Sequence, residues 1–148
     1  MPDVPDVPDE PPPPSYMRTL PASECYELLA VATVGRIGFV SAAGVQILPV
    51  GFRLGDGHRL FMRTSPQGTL ARLAGTDASV GFEVDYHAGD FGVAWSVLMN
   101  GTLSHLDAAA TEAYAKLRLK PVPWPGLASS VIIQFVPETI SGRGLLRH

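Results

Sequence analysis

A succession of short apolar segments joined by tight turns constrains the fold of this chain more than any other feature of its sequence. Ala43-Gly44 and Gly55-Asp56-Gly57 are typical of hairpin turns. We expect strands at residues 35–41, 45–54, 59–64, 79–85, 91–106 and 131–136. Consecutive hairpins with few helices predict an antiparallel barrel rather than a parallel sheet covered by helices.

Helical spacing occurs in only three short places. Ser23 is a suitable N-cap for a first helix, which should end before the β-branched run that starts at Val31. A second short helix is expected from Gly68, and a third over residues 108–119 with Asp107 as its N-cap. The predicted fold class is therefore mainly β with short flanking helices.

Residues 1–16 differ in composition from the remainder. They repeat Pro-Asp-Val, end in a run of prolines, and carry four acidic side chains without a basic one. Because the segment has little to bury, we expect a disordered or polyproline-II tail with a solubilising or peptide-binding role. Residues 17–148 then form one domain, since 148 residues of 46% hydrophobic composition are too few for two ordinary cores.

Charge and cysteine content narrow the possible partners. The net charge is −3 and no basic stripe is present, so we expect no nucleic-acid partner. No apolar run approaches the roughly 20 residues that span a bilayer, which predicts no membrane partner. The single Cys25 excludes an internal disulfide framework and, without a secretory signal, favours the cytoplasm.

The segment around residues 95–101 is apolar on both faces of its expected strand. Val93, Trp95 and Val97 alternate with Ala94 and Leu98. A strand that is apolar on both faces needs cover on both, and the barrel interior supplies only one. We therefore expect a subunit interface on the other side, and a homodimer.

A polar turn joins the strand that starts near Leu60 to the helix that ends near Gly75. Hydroxyl, glycine and arginine residues gather there: Arg63, Thr64, Ser65, Gly68 and Thr69. An anion site needs backbone N–H groups presented together, small residues that permit close approach, and a cation or hydroxyls. The segment predicts either a phosphate site or an ordinary turn, since turns use the same residue types.

Three further features each have two interpretations. Trp95-Ser96 places an aromatic ring beside a hydroxyl, either to contact a planar cofactor or to fill a core or interface. Trp124, flanked by prolines, either closes a pocket or plugs a barrel end. Glu83 and Asp85 share one face of a strand, which indicates a solvated surface more than a pair of catalytic carboxylates.

Other catalytic patterns are missing from the sequence. The four histidines show no metal-ligand spacing, so we expect no metal site. The serines lie in no nucleophile-elbow context, and neither a Walker nor a Rossmann glycine pattern occurs.

The chain resembles the pyridoxamine 5'-phosphate oxidase-like, FMN-binding split-barrel family, small actinobacterial type, in the order of six blocks: ECYELLAVATVGRIGFV, VQILPVGFRL, LFMRTSPQGTLARL, VGFEVD, AWSVLMNG and ISGR. The resemblance implies a six-stranded antiparallel split β-barrel, working as a homodimer with FMN at the interface. It implies an oxidoreductase acting on an unknown small molecule. The cofactor-binding positions that it implies are Pro49, Val50, Gly51, Arg63, Thr64, Ser65, Gly68, Thr69, Leu70, Trp95 and Ser96.

Two departures from the family pattern leave the cofactor open. Leu70 stands where the family usually has a phosphate-binding lysine, and Gly51 stands where close relatives have asparagine. Arg63 or Arg72 would have to compensate, although a residue two positions along a helix faces away. The alternatives are the same barrel with F420 or haem, for which His87 is a candidate ligand, and a cofactor-free binding or regulatory module.

Overall fold

The computed structural model describes residues 16–89, 92–119 and 130–146, which form a mainly antiparallel β structure. The elements in chain order are β1 (Tyr16–Leu20), α1 (Ala22–Val31), β2 (Val34–Ser41), β3 (Gly44–Gly51), β4 (Arg53–Gly55), β5 (Arg59–Thr64), α2 (Thr69–Leu73), β6 (Ser79–Ala88), β7 (Val93–His105), α3 (Ala108–Lys116) and β8 (Val131–Leu146). A 3₁₀ turn at Asp56–His58 joins β4 to β5. The expected class, mainly β with short flanking helices, is confirmed.

The sheet closes on itself through the connection between β3 and β4. The hydrogen-bonded strand order is β3-β2-β6-β7-β8-β5-β4. Only Phe52 separates β3 from β4, and its backbone N–H donates to the Thr33 carbonyl at 2.9 Å. Chain continuity thus joins the two ends of the strand order into a barrel. The first part of β8 pairs with β5 and its last part with β1.

The described residues contain eight strands, so the expected number of six is wrong. The segment 45–54 breaks into two strands at Phe52, because that side chain turns into the core and is 2% exposed. β1 was not expected, because its five residues are held by pairing with the distant β8. β8 continues to Leu146 rather than ending at residue 136, since a register shift at Asn100/Gly101 keeps it paired with β7.

The helix boundaries agree only in part. α1 uses Pro21 as its N-cap without a side-chain hydrogen bond, so the expected cap at Ser23 is wrong. Proline holds its φ at −66°, which starts the helix without a capping side chain. α3 is capped as expected, since Asp107 Oδ1 accepts a hydrogen bond from the Ala110 N–H at 2.7 Å. It ends at Lys116, short of the expected residue 119.

Two clusters of buried apolar side chains stabilise the barrel. Inside it, the ring of Phe82 packs against Phe52 and Phe135, with ring centroids 5.3 Å apart in each pair. Outside it, α3 covers β5 and β8 and buries Phe61 against Ala110. The outer faces of β2 and β3 are different, because apolar side chains lie in solvent there.

Candidate cofactor site

Cross-strand register brings five residues from five strands into one line on the outer face of the barrel. Val34 pairs with Gly51, Asp85 with Ser96, and Ser96 with Arg143. β2 pairs Arg36 with Glu83 of β6, and continuing this register by two residues places Val34 beside Asp85. We call this line the outer row: Gly51, Val34, Asp85, Ser96 and Arg143. Because adjacent strands are about 4.8 Å apart, Gly51 lies about 14 Å from Ser96 across the sheet.

A cluster of hydrogen-bond donors lies where β5 gives way to α2. Ser65 begins a tight turn, closed by a hydrogen bond from the Gly68 N–H to the Ser65 carbonyl at 3.1 Å. α2 then begins at Thr69, with Gly68 as an N-cap that provides no side-chain hydrogen bond. The first N–H groups of a helix have no partner within it. The N-terminal end of α2 therefore lies close to two exposed hydroxyl residues, Ser65 and Thr69.

Gly68 keeps this place open to a ligand. A Cβ at position 68 would lie 3.3 Å from the Ser65 carbonyl oxygen and 3.8 Å from Thr64 Oγ1. The Thr64 hydroxyl therefore borders the space that the glycine leaves empty. Arg63 is exposed on the preceding strand position. Hydroxyls, free N–H groups and a guanidinium are the donors that suit a phosphate, and we call this place the anion seat: Arg63, Thr64, Ser65, Gly68 and Thr69.

Leu70 does not contribute a polar group to the anion seat. Its side chain is 7% exposed and packs in the barrel core. Arg72, two positions along α2, is exposed to solvent. The two side chains therefore point in different directions, as helical geometry requires. Of the predicted cofactor residues, Leu70 is thus fully incorporated in the hydrophobic core.

The anion seat meets the outer row at Gly51. β4 pairs Arg53 with Phe61, and continuing this register backwards places Gly51 beside Arg63. β3 and β5 are indeed in contact. A Cβ at position 51 would have no atom closer than the Thr33 carbonyl oxygen at 3.7 Å, so the surface there is open. Pro49 shares the outward face of Gly51, whereas Val50 between them packs against the core.

Trp95 and Ser96 lie on opposite faces of β7. Ser96 is on the outer row, whereas the Trp95 ring packs against the core. Trp95 also stacks on Tyr86, with centroids 6.3 Å apart and planes at 22°. A ligand on the outer row can therefore contact Ser96 but not the face of the Trp95 ring. Trp95 and Ser96, which the resemblance implies as cofactor-binding neighbours, therefore do not share a face of the sheet.

The carboxylates of Glu83 and Asp85 share the outer face, and Phe82 and Val84 are buried, as expected. Arg36 Nη1 bridges the two carboxylates, at 3.1 Å from Glu83 Oε1 and 2.6 Å from Asp85 Oδ2. Burial, followed by the hydrogen bond with Asp85, raises the pKa of Glu83. The hydrogen bond from Glu83, followed by that from Arg36, lowers the pKa of Asp85. Glu83 therefore keeps its proton to a higher pH than an isolated glutamate would.

Sequence patterns alone did not reveal Arg143 as a neighbour of the site. It is exposed and adjoins Ser96 on the outer row. The distance along the chain between Ser96 and Arg143 hides this proximity, which only the β7–β8 register shows. Trp124 lies outside the described residues, and within these residues no group of three or more His, Cys, Asp or Glu side chains is arranged to hold a metal ion.

A cavity of about 250 Å³ lies elsewhere, between the 3₁₀ turn and α3. Charged side chains of both signs line it, among them Asp56, Arg59 and Glu112. It includes none of the residues expected to bind a cofactor. The outer row and the anion seat are therefore the candidate site.

Residues 21–144 match the sequence profile of the pyridoxamine 5'-phosphate oxidase family. The chain belongs to this family. A protein of Mycobacterium tuberculosis described as uncharacterized is 28% identical over 127 residues, covering 83% of this chain and 82% of that protein. Within the described residues, no helix is long and apolar enough to cross a membrane.

Solved structures of the same fold include proteins that bind different cofactors. An FAD binding protein from Mycobacterium smegmatis superimposes with a TM-score of 0.71 at 27% identity, covering 88% of this chain and all of that chain. An FAD and haem binding protein from the same organism gives a TM-score of 0.60 at 15% identity, covering 84% of this chain and 72% of that chain. The second likeness is one of fold alone.

Proposed function

We propose that this chain is an FMN-binding oxidoreductase that holds the flavin along the outer row with its phosphate in the anion seat. The observation that carries the proposal is the junction of the two features at Gly51. A cluster of phosphate-type donors there borders an open strip about 14 Å long that runs to Ser96. Family membership and the 27% identical FAD binding protein support a flavin as the ligand.

The residues of the site have separable roles in this proposal. Thr64, Ser65 and Thr69 donate hydroxyl hydrogen bonds to the phosphate, together with the first N–H groups of α2, and Arg63 neutralises its charge. Along the row, Ser96 supplies a further hydroxyl, and Val34 supplies an apolar contact for the ring. The bound flavin supplies the hydride chemistry, so the protein has to bind, orient and exclude water. The substrate is a small molecule.

A second copy of the chain completes the site in this proposal. A flavin on an exposed sheet face would be open to water on one side. The outer face that carries the row continues into a patch of exposed apolar residues: Val40 at 77%, Val45 at 71% and Ile47 at 66% exposure. Such a patch is typical of a protein–protein interface. We therefore propose a homodimer that buries this patch and encloses the flavin.

A cofactor-free binding module is the second candidate, because Leu70 leaves the first turn of α2 without a cation. Haem and F420 are the remaining alternatives. The haem candidate His87 is exposed on β6 and pairs in register with Ala94, at the end of the strand beyond the outer row.

The deciding experiment is the visible absorption spectrum of the protein purified without added cofactor, followed by heat release and mass analysis. FMN released from a yellow protein supports the proposal, and released FAD, F420 or haem replaces FMN by that cofactor. A colourless protein that also fails to bind added FMN identifies the cofactor-free module.

Two matched arginine variants then test the position of the phosphate. Arg63→Ala removes a charge-assisted contact, which is worth about 1.5–3 kcal/mol, so FMN affinity should fall by about one to two decades. Arg59→Ala is the control, because Arg59 lies on the same strand but lines the cavity beside α3. Equal FMN affinity in the two variants would remove Arg63 from the site.

A further inference from the structure

Three exposed arginines lie on the elements that form or adjoin the anion seat. Arg63 belongs to the seat, Arg53 lies on the neighbouring strand, and Arg72 lies on α2. Arg53 donates a hydrogen bond only to a backbone carbonyl, that of Phe52, at 2.9 Å. In the described part of the chain, no carboxylate forms an ion pair with any of the three. The surface thus presents three cations that attract anions.

The opposite charge is concentrated in the sequence before β1. Asp3, Asp6, Asp9 and Glu10 carry four negative charges within residues 1–15, where no basic side chain occurs. The whole chain has a net charge of −3, so the remainder has a net charge of +1 (−3 minus −4). The segment is rich in proline, which limits its conformational freedom and therefore the entropy that docking would cost.

The length and starting point of this segment let it reach the arginines. Tyr16 pairs with Leu146, three residues along β8 from Arg143 on the outer row. From Tyr16 on β1 to Arg63 on β5, the path over the outer row crosses six strand spacings, about 29 Å, and moves about 10 Å along the strands, for a total of about 31 Å. At about 3.1 Å per residue in polyproline II, the ten residues from Tyr16 to Asp6 can span about 31 Å and the thirteen to Asp3 about 40 Å, which is enough to reach Arg63.

We infer that Arg53, Arg63 and Arg72 form a docking surface for the chain's own acidic segment, residues 1–15. The carboxylates occupy the surface as tethered anions, at the effective concentration that a short tether confers, which is of millimolar order. The inference rests on the proposed function in one respect: the tail and the flavin phosphate bind to the same arginine, Arg63, and to residues next to it.

Docking has a direct consequence for an anionic ligand. The tail and a phosphate compete for the same guanidinium groups, so the tail weakens phosphate binding without touching the fold. Because the competing contacts are between solvent-exposed charges, salt screens them, and the competition weakens at high salt. The apolar patch of Val40, Val45 and Ile47 lies toward the other end of the β2–β3 hairpin and remains available to a second copy.

The first test needs no flavin. A nitroxide attached to Val7→Cys in the full chain reports proximity, because the native Cys25 is fully buried and does not react with the label. We expect paramagnetic broadening of the backbone amides from Thr64 to Leu70 at low salt, and its loss at about 0.5 M salt, where the Debye length is below 5 Å. The absence of broadening at low salt would overturn the inference, whether or not the protein binds FMN.

The second test compares two variants of equal net charge. One neutralises the tail (Asp3→Asn, Asp6→Asn, Asp9→Asn), and the other neutralises three exposed acids of the barrel (Glu27→Gln, Glu112→Gln, Glu138→Gln). At low salt the tail variant should bind FMN about fivefold more tightly than the wild type, and inorganic phosphate likewise. The barrel variant should change both affinities by less than about twofold.

The outcomes separate the two proposals. Equal tightening in both variants would show a net-charge effect and overturn tail docking. Amide broadening with no FMN binding by any variant would uphold the docking surface and reject the proposed function. FMN binding with neither amide broadening nor an effect of the tail variant would uphold the proposed function and reject the docking surface.

Discussion

Gly142 of β8 lies directly against Cys25 of α1, where a Cβ at position 142 would collide with the sulfur. The Cys25 side chain is fully buried, and burial raises the pKa of its thiol. Cys25 is therefore an apolar packing residue and not a reactive nucleophile. The same Cβ would lie 3.3 Å from Leu20 Cβ. A glycine on the last strand thus allows α1 and β1 to close over the barrel.

Gly142→Ala should destabilise the protein by about 1–3 kcal/mol, because the added methyl group overpacks this contact. Urea unfolding measures the change. Gly81→Ala is the matched control on a strand, since its Cβ would have no atom closer than 4.0 Å. Adding Cys25→Ala to Gly142→Ala should recover part of the loss, because it removes the colliding sulfur. Equal stability of the Gly142→Ala and Gly81→Ala proteins would refute this account of the packing.

The hairpins of the barrel were predictable because their signals are local. Turn residues and alternating apolar side chains mark β2, β3 and β5 in the sequence. β1 and the second half of β8 carry no such signal, since each is held by the other through pairs such as Met17–Leu145. The break at Phe52 was also hidden, because the sequence around it alternates like a continuous strand. β1, the end of β8 and the break at Phe52 depend on strand pairing between distant residues and on closure of the barrel, which local sequence patterns do not show.

The Arg36–Glu83–Asp85 cluster should give the stability of the protein two opposite responses to pH. The pKa of Asp85 is below its ordinary 3.8, so its contribution is present above that value and is lost as pH falls through the folded-state pKa. The pKa of Glu83 is above its ordinary 4.5, so stability declines as pH rises from that value through the folded-state pKa.

Single variants isolate the two responses. Asp85→Asn should reduce the loss of stability below pH 3.8, and Glu83→Gln should remove the decline above pH 4.5. Urea midpoints measured between about pH 3 and 7, compared with the wild type, give both differences. Because all three side chains are partly exposed, both effects should shrink in high salt. Profiles parallel to the wild type in both variants would contradict the coupling.

The candidate site was predictable in its parts and not in its assembly. The donors of the anion seat follow one another in the sequence, so their residue types alone indicated either a phosphate site or an ordinary turn at this place. The outer row combines five strands, and Arg143 joins Ser96 only through register. Trp95 and Leu70 were grouped with their sequence neighbours, yet alternation on β7 and rotation along α2 turn both toward the core.

The burial of Leu70 leads to a prediction that sequence comparison alone would reverse. Leu70→Lys introduces the lysine that the resemblance to the family implies at this position, but the side chain starts inside the core. We expect a loss of about 2–5 kcal/mol in the free energy of unfolding, as for other losses of a buried leucine, and no gain in FMN affinity. Urea unfolding and FMN titration give the two values. Leu70→Met is the control and should cost less than about 1.5 kcal/mol. Tighter FMN binding by a fully stable Leu70→Lys protein would show that position 70 reaches the phosphate.

Gly68 allows binding to be separated from folding. Its φ of −76° is accessible to any residue, and a Cβ there would lie 3.3 Å from the Ser65 carbonyl oxygen, a tight contact that a small shift of the exposed turn relieves, so Gly68→Ala should change stability by less than about 1 kcal/mol. The same methyl group would occupy the space beside Thr64 Oγ1 and keep a phosphate from the first N–H groups of α2. We therefore expect FMN affinity to fall by about a decade or more, the equivalent of one lost charge-assisted hydrogen bond.

Gly75→Ala is the matched control for this variant, because it follows α2 at its other end and a Cβ there would lie 3.6 Å from the Arg72 carbonyl oxygen. It should leave FMN affinity unchanged. Thermal unfolding without ligand establishes that both variants are folded, and titration with FMN then compares them. If Gly68→Ala binds FMN as tightly as Gly75→Ala does, the flavin phosphate does not occupy the space that Gly68 leaves open, and the anion seat has to be placed elsewhere on the barrel.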